Sequence, residues 1–244
     1  MSTASSHLTV AGINVDVVRK DIKNLHIGVY PPTGRVRVAA PDRLDDETIR
    51  LAVIQRLPWI KRRRKQLQGA ERQSERQMVS GETHHIWGVG YRLRVVERPG
   101  KRKIEVRTDR RLTLYVPAGT EVDVRRRALE DWYRDELRAR IPALLDRWEP
   151  RIGRTVSHWQ IKRMKTKWGS CNPDAGRLWF NVELAKKHPL CLEYIVVHEM
   201  AHLVERTHGE RFTKLMDDLL PDWRTRRDEL NTAPLAHEVW PQAA

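Results

Sequence analysis

The first forty residues alternate between apolar and polar positions, which is the pattern of half-buried β-strands. Two of these runs, residues 26–30 and 35–38, are separated by Pro31, Pro32 and Gly34, which are typical turn residues. The pattern therefore predicts a β-hairpin.

A helix is predicted from about residue 45, because Asp45, Asp46 and Glu47 supply an acidic first turn and apolar residues follow at helical spacing. Pro58 lacks a backbone donor, so it should kink or split this helix. Residues 61–77 are almost entirely polar, which indicates an exposed helix or a linker.

The same order of elements recurs further along the chain. Alternating strands near 84–97, 102–107 and 112–116 end at Pro117, and a helix is predicted from about Val122. We interpret this recurrence as a loose internal repeat, although strand-turn-helix units in general share such punctuation. The helix should pack on the core, because its apolar residues recur at spacings of three and four: Leu129, Trp132, Tyr133, Leu137, Ile141, Leu144, Leu145 and Trp148.

The pattern changes after Gly153. A strand over 159–164 is followed by a predicted turn over 168–173 and a second short strand over 178–181. Three short helices should complete the chain, near 191–206, 209–219 and 222–231.

Composition excludes several protein classes. Hydrophobic residues make up 40% of the 244 residues, which excludes wholesale disorder, and two cysteines cannot form a disulfide framework. No apolar run is long enough to span a membrane, and the first residues lack the features of a secretory signal. We therefore expect a cytoplasmic protein with no membrane partner.

The chain is strongly basic, with 46 Lys and Arg against 32 Asp and Glu and a net charge of +14. Such a surplus favours anionic partners, namely a nucleotide, a nucleic acid or an acidic protein. The basic run 61–65 is the candidate for nucleic-acid docking, and a solvated helix face is the alternative.

The main chemical signal is the stretch His198-Glu199-Met200-Ala201-His202. Two histidines four apart on a helix differ by only about 40° around its axis, so both imidazoles can reach one metal ion. The carboxylate of Glu199, beside the first histidine, is placed to take a proton from a metal-bound water.

His208 is a third candidate ligand, six residues after His202. In an unbroken helix it would lie on the wrong side, so the helix should end near 205–207 and let the chain return. Three imidazoles with an open fourth position favour a catalytic Zn2+ site over a structural one. Glu205 is a rival ligand, better placed to orient His202, and a solvated carboxylate is the alternative.

Further motifs accompany the histidine motif 198–202 and His208, namely 163–171, Asn181, Phe212 and 221–223. Together they resemble the YgjP-like metallopeptidase family, which is related to the SprT and WLM zincins. The resemblance runs from about residue 24 to 231, and Gly209 stands where relatives often carry Ser. It implies a zinc metallopeptidase-like fold with His198, His202 and His208 as ligands and Glu199 as catalytic acid and base.

The predicted fold class is α+β. It combines a β-rich N-terminal region with strand-helix repeats over 1–154, a compact zincin-like catalytic region over 155–232 and a tail over 233–244. In the catalytic region an active-site helix should pack on a small sheet.

The predicted function is a zinc-dependent hydrolase, specifically a metallopeptidase acting on a peptide or protein. Lys165 and Lys167 should share one face of a strand and hold an anion near the metal, and Asn181 is a third candidate substrate-binding residue. These lysines motivate the alternative of a nucleoside triphosphate pyrophosphatase. A further alternative is a nucleic-acid-docked protease or binding module.

Overall fold

The computed structural model describes residues 5–30, 34–69, 76–164 and 167–232. Lys165 and the predicted tail 233–244 lie outside these ranges. The fold is α+β, as predicted, with six α-helices and three small mixed sheets in the described part. Contacts divide the chain into two compact units, one within Met1–Ser74 and one within Glu75–Ala233.

The first unit holds a four-stranded sheet and two helices. The strands lie in the order β1-β2-β4-β3, with β2 and β4 parallel and the outer pairs antiparallel. The predicted hairpin is β3 with β4. Its elements are β1 (Ser5–Val10), β2 (Ile13–Lys20), β3 (His26–Tyr30), β4 (Arg35–Pro41), α1 (Asp46–Gln55) and α2 (Leu57–Gly69).

Local sequence explains the helices of this unit. The side chain of Asp45 accepts a hydrogen bond from the Thr48 amide at 2.8 Å and so caps α1. Pro58 splits the helical segment as predicted, because it falls in the first turn of α2, where a missing amide is tolerated. Ile49, Val53 and Ile60 are buried against the valines of the sheet.

The second unit begins with a sheet of the same wiring. Its strands lie in the order β5-β6-β8-β7, again with a parallel central pair. The shared wiring agrees with an internal repeat, which stays a prediction. The strands are β5 (Thr83–Ile86), β6 (Val89–Glu97), β7 (Lys103–Val106) and β8 (Arg111–Val116).

The long helix α3 (Val122–Ile152) follows this sheet, starting where the pattern predicts. It ends at Gly153, whose φ of 70° is the left-handed conformation that terminates helices. The buried residues form one stripe at spacings of three and four: Leu129, Tyr133, Leu137, Ile141, Leu145, Trp148 and Ile152.

The C-terminal part holds three helices and a third sheet, which α4 contacts. The strands of this sheet lie in the order β10-β11-β9, so β10 is an edge strand. In it, β10 is antiparallel and β9 parallel to β11. A short 3-10 helix, Val182–Lys186, follows the sheet. The other elements are β9 (His158–Lys162), β10 (Gly169–Asn172), β11 (Arg177–Asn181), α4 (Pro189–Ala201), α5 (Glu210–Leu219) and α6 (Trp223–Thr232).

The predicted turn over 168–173 is wrong for most of its length, because Gly169–Asn172 is a strand. The turn comes later. The Asn172 side chain accepts from the Ala175 amide at 3.2 Å, and Gly176 has a φ of 59°. The small residues that suggested a turn instead let β10 lie close to α4.

The helix α4, in which the active site is predicted, is buried along nearly its whole length and contacts α3, α5, α6 and the third sheet. The predicted end near residue 206 is wrong, because α4 ends at Ala201 with His202 as its C-cap. Backbone bonds from Leu203 to Met200 and from Val204 to Ala201 tighten the chain into turns there. Across the described ranges, no helix combines the length and apolarity needed to span a membrane.

Candidate metal centre

Three imidazoles converge at the C-terminal end of α4. His198 lies in the last turn of this helix, His202 caps it, and His208 comes from the loop before α5. The Nε2 atom of His208 lies 3.0 Å from Nε2 of His198 and 3.1 Å from Nε2 of His202. The three residues that the histidine spacing predicts are therefore brought together around one point.

The geometry and the charge state of these side chains fit a bound metal ion. Burial lowers the pKa of His198 to about 3, with the neighbouring imidazoles acting in the same direction, and burial also lowers the pKa of His202. Neutral rings keep the nitrogen lone pairs that bind metals. Zinc bound by imidazoles at about 2.0–2.1 Å in a tetrahedral arrangement has its ligand atoms about 3.3 Å apart, close to the spacing here.

The ring of His202 is oriented by a backbone group. Its Nδ1 lies 3.0 Å from the carbonyl oxygen of Glu205 and can donate to it, which leaves Nε2 for a metal. The sequence left two roles open for the Glu205 carboxylate, orienting His202 or remaining solvated. In the structure this carboxylate accepts a bond from Thr207 Oγ1 at 3.3 Å. The early end of α4 explains this arrangement, because Glu205 no longer lies on the helix.

Phe212 supports all three rings, and ligand spacing gave no sign of this. Its ring centroid lies 5.0 Å from that of His198, 4.7 Å from His202 and 4.8 Å from His208. The side chain is buried on α5, four residues after His208. It holds the imidazoles on one side of the site and excludes water there.

Glu199 is buried beside the histidines, with 5% of its surface exposed. Burial raises its pKa to about 8, and the positive charge of Lys167 acts in the opposite direction. A carboxylate with a pKa near neutrality is suited to taking a proton and returning it.

An open cleft of about 500 Å³ lies over the histidines. Its walls come from β10, α4, the loop after α4 and α6. Three cations line it, Lys167, Arg206 and Arg227, whereas Glu199 is the single acidic lining residue in the part of the chain described. Arg206 forms an ion pair with Asp174. Arg227 forms an ion pair with Asp228, with 2.9 Å between Nη2 and Oδ1.

The predicted substrate-binding residues have different positions. β9 ends at Lys162, so Lys167 is not on the strand that the pattern predicted, although it does line the cleft. Asn181 is buried outside the cleft lining. Its amide donates to the carbonyl oxygens of Met164 at 2.9 Å and Lys167 at 2.8 Å, so it fixes the chain leading into β10.

Cys171 lines the cleft from β10 but is not a ligand in this arrangement, because it is outside the histidine cluster. Burial and the nearby Glu199 charge raise the pKa of its thiol to about 12. The thiol is therefore protonated at neutral pH and is a poor nucleophile.

A short helix that ends at two histidines, a third histidine from the next loop and a buried glutamate are typical of metal-dependent peptidases. The family described as "YgjP-like, metallopeptidase domain" matches residues 23–233. The chain therefore belongs to the YgjP-like metallopeptidase family, which confirms the resemblance that its sequence motifs indicate.

No curated protein matches the chain. Among solved structures, the metallopeptidase zymogen of Pyrococcus abyssi abylysin is similar over 38% of this chain and 92% of its own, with 20% identity and a TM-score of 0.35.

Proposed function

We propose that the protein is a zinc-dependent metallopeptidase in which His198, His202 and His208 hold the metal and Glu199 is the general base and acid. The convergence of three imidazole Nε2 atoms beside a buried carboxylate supports this proposal. Imidazole ligands favour zinc over the oxygen-preferring ions Mg2+ and Ca2+.

Glu199 accepts a proton from the attacking water and delivers it to the leaving amine nitrogen. Burial raises the pKa of this carboxyl group, which makes its carboxylate a stronger base for the first transfer. When bound, a zinc ion supplies the electrophile that activates water and polarises the scissile carbonyl. The wall of β10 and the ring of Phe212 limit the water that reaches the carboxylate and the imidazoles.

The proposed substrate is an extended peptide that carries acidic side chains. As an edge strand, β10 has backbone groups on its outer side that an extended chain can pair with, and Gly169 to Cys171 line the cleft. The cations Lys167, Arg206 and Arg227 make the cleft complementary to carboxylates near the scissile bond.

A nucleoside triphosphate is the second candidate substrate, favoured by the same cations. Lys167 has the central place in this alternative, because it lies close enough to Glu199 to lower its pKa. Nucleic-acid docking by the run 61–65 on α2 and the cytoplasmic location stay predictions.

The deciding experiment measures metal content and then hydrolysis of acidic and basic peptides, a denatured protein and a nucleoside triphosphate panel. We expect about one zinc per chain and turnover of acidic peptides that a chelator abolishes and zinc restores. Lys167→Gln should abolish any triphosphate hydrolysis and leave most cleavage of an uncharged peptide. Zinc-independent cleavage, or hydrolysis of triphosphates alone, would contradict the peptidase proposal.

A further inference from the structure

Gly169, the first residue of β10, lies directly against the Glu199 side chain. A Cβ atom added at Gly169 would lie 2.5 Å from Oε1, 2.6 Å from Cγ and 2.8 Å from Cδ of Glu199. These separations are far inside van der Waals contact, so a methyl group and the present carboxylate position exclude each other. The side chain of Glu199 therefore occupies a recess that exists because residue 169 has no side chain.

Backbone conformation does not explain the glycine. Gly169 is not among the residues with positive φ, so other amino acids can adopt its extended backbone. Within a strand, glycine also weakens packing relative to residues with a side chain. The close approach of Glu199 is the feature that requires glycine here.

The backbone on either side of the contact is held in place. Gly169 pairs with the fully buried Phe180 on β11. The backbone N–H of Asn181 donates to the backbone carbonyl of Trp168 at 2.9 Å. On the other side, α4 is enclosed by its neighbours. A methyl group at residue 169 would consequently displace the end of the Glu199 side chain before it moved either backbone.

We propose that Gly169 is a positioning residue for catalysis, because its missing side chain sets where the Glu199 carboxylate lies relative to the three imidazoles. This inference rests on the proposed function, in which Glu199 is the base. The three heavy atoms nearest to a Cβ built at Gly169 all belong to Glu199, so we expect metal binding to be independent of this position.

The first test compares Gly169→Ala with the parent enzyme. Displacement of a catalytic group by about 1 Å costs on the order of 100-fold, so we expect a kcat loss of that size with full zinc content and little change in KM. Gly209→Ala is the matched control, because it lies next to His208 but its added Cβ meets nothing closer than 4.0 Å. A kcat for Gly169→Ala within a few-fold of the parent would overturn the proposal.

The second test needs no activity. In metal-free protein, Gly169→Ala should lower the Tm clearly when Glu199 is present and much less in the Glu199→Ala background, because the truncated side chain leaves room for the methyl group. Non-additive Tm losses of this kind identify direct contact between the two positions. Equal Tm losses in both backgrounds would overturn the proposal.

A suppressor variant connects the two tests. Glu199→Asp retracts the carboxylate by one methylene, so adding Gly169→Ala in that background should cost far less than 100-fold. The proposed function fails separately if Glu199→Gln keeps parental turnover, whereas the Tm comparison still reports on the contact.

Discussion

Arg226 on α6 donates from Nη1 to Oε2 of Glu193 on α4 at 2.6 Å, and both side chains are at least 88% buried, with exposures of 12% and 10%. Glu193 also accepts from Trp148 Nε1 at 3.2 Å and Arg147 Nη1 at 2.9 Å on α3. One carboxylate therefore joins α3, the active-site helix and the helix that carries Arg227 into the cleft.

Replacing Glu193 by Ala should destabilise the protein by about 3 kcal/mol, because it leaves the buried Arg226 without its partner on α4. Urea unfolding of the metal-free protein measures this loss. Arg147→Ala removes a half-exposed partner of the same carboxylate and should cost less than about 1 kcal/mol. Equal losses in the two variants would show that burial of the pair is unimportant.

The ligand set predicts the metal content of single variants. His202→Ala and His208→Ala should each leave zinc well below one ion per chain, because two imidazoles bind far more weakly than three. His158→Ala, at an exposed position on β9, is the control and should keep full metal. Elemental analysis after dialysis decides, and a full zinc content in His208→Ala would remove that residue from the ligands.

Glu199→Gln should retain zinc and lose turnover by about 10²–10⁴-fold, because the amide cannot accept the proton. Its size is unchanged, so the fit against Gly169 is kept. Zinc content and peptide cleavage are measured on the same preparation. Loss of zinc would instead make Glu199 a ligand.

The cationic lining predicts a preference for acidic peptides. Arg227→Gln should lower kcat/KM for an acidic peptide by about five-fold, the effect of a partly exposed ion pair, and leave a neutral peptide unchanged. Arg224→Gln is the matched control, because Arg224 also lies over the Trp223 ring on α6 but does not line the cleft. An equal effect of both variants would assign the loss to α6 packing.

A buried lysine predicts the alkaline stability profile. Burial lowers the pKa of Lys187 from 10.5 to about 8, and 6% of the residue is exposed. Between these pH values the unfolded chain holds a proton that the folded protein has released. The free energy of unfolding therefore rises with pH from about 8 to 10.5, and below pH 8 burial of the charged amine destabilises the folded protein.

Lys187→Met should therefore be more stable than the parent at pH 7, by up to about 3 kcal/mol, with the difference closing toward pH 10.5. Methionine can keep the contact with Trp168, over which the amine lies at 5.4 Å. Urea unfolding at several pH values measures the difference. Lys162→Met is the control for replacing a lysine that lies over a tryptophan ring, because Lys162 is exposed and lies over Trp179. A stability difference between Lys187→Met and the parent that did not change with pH would contradict a lowered pKa of Lys187.

Local patterns predicted much of this fold. The stripe from Leu129 to Trp148 identified α3, Asp45 marked the start of α1, and Pro58 the break before α2, since each signal acts over a few residues. The spacing of His198, His202 and His208 likewise predicted their convergence, because it depends on helix geometry and one chain reversal.

The errors concern features that depend on tertiary contacts. Gly169 to Asn172 look like a turn by composition, but they form a strand in which the closeness of Glu199 on α4 requires glycine at position 169. The backbone carbonyl of Glu205, and not its carboxylate, contacts His202, because the last predicted turn of α4 does not form. The contacts of Phe212 and the buried position of Asn181 leave no periodic signal.

The contacts of the site differ in how far apart along the chain their residues lie. The three imidazoles lie within an eleven-residue stretch, so the loop that must close to bring them together is short and its entropy cost small. The contact of Glu199 with Gly169 joins positions thirty residues apart and requires β10 to be in place. In a partly folded chain, α4 and its following loop can therefore bring the three imidazoles together before β10 fixes the Glu199 side chain.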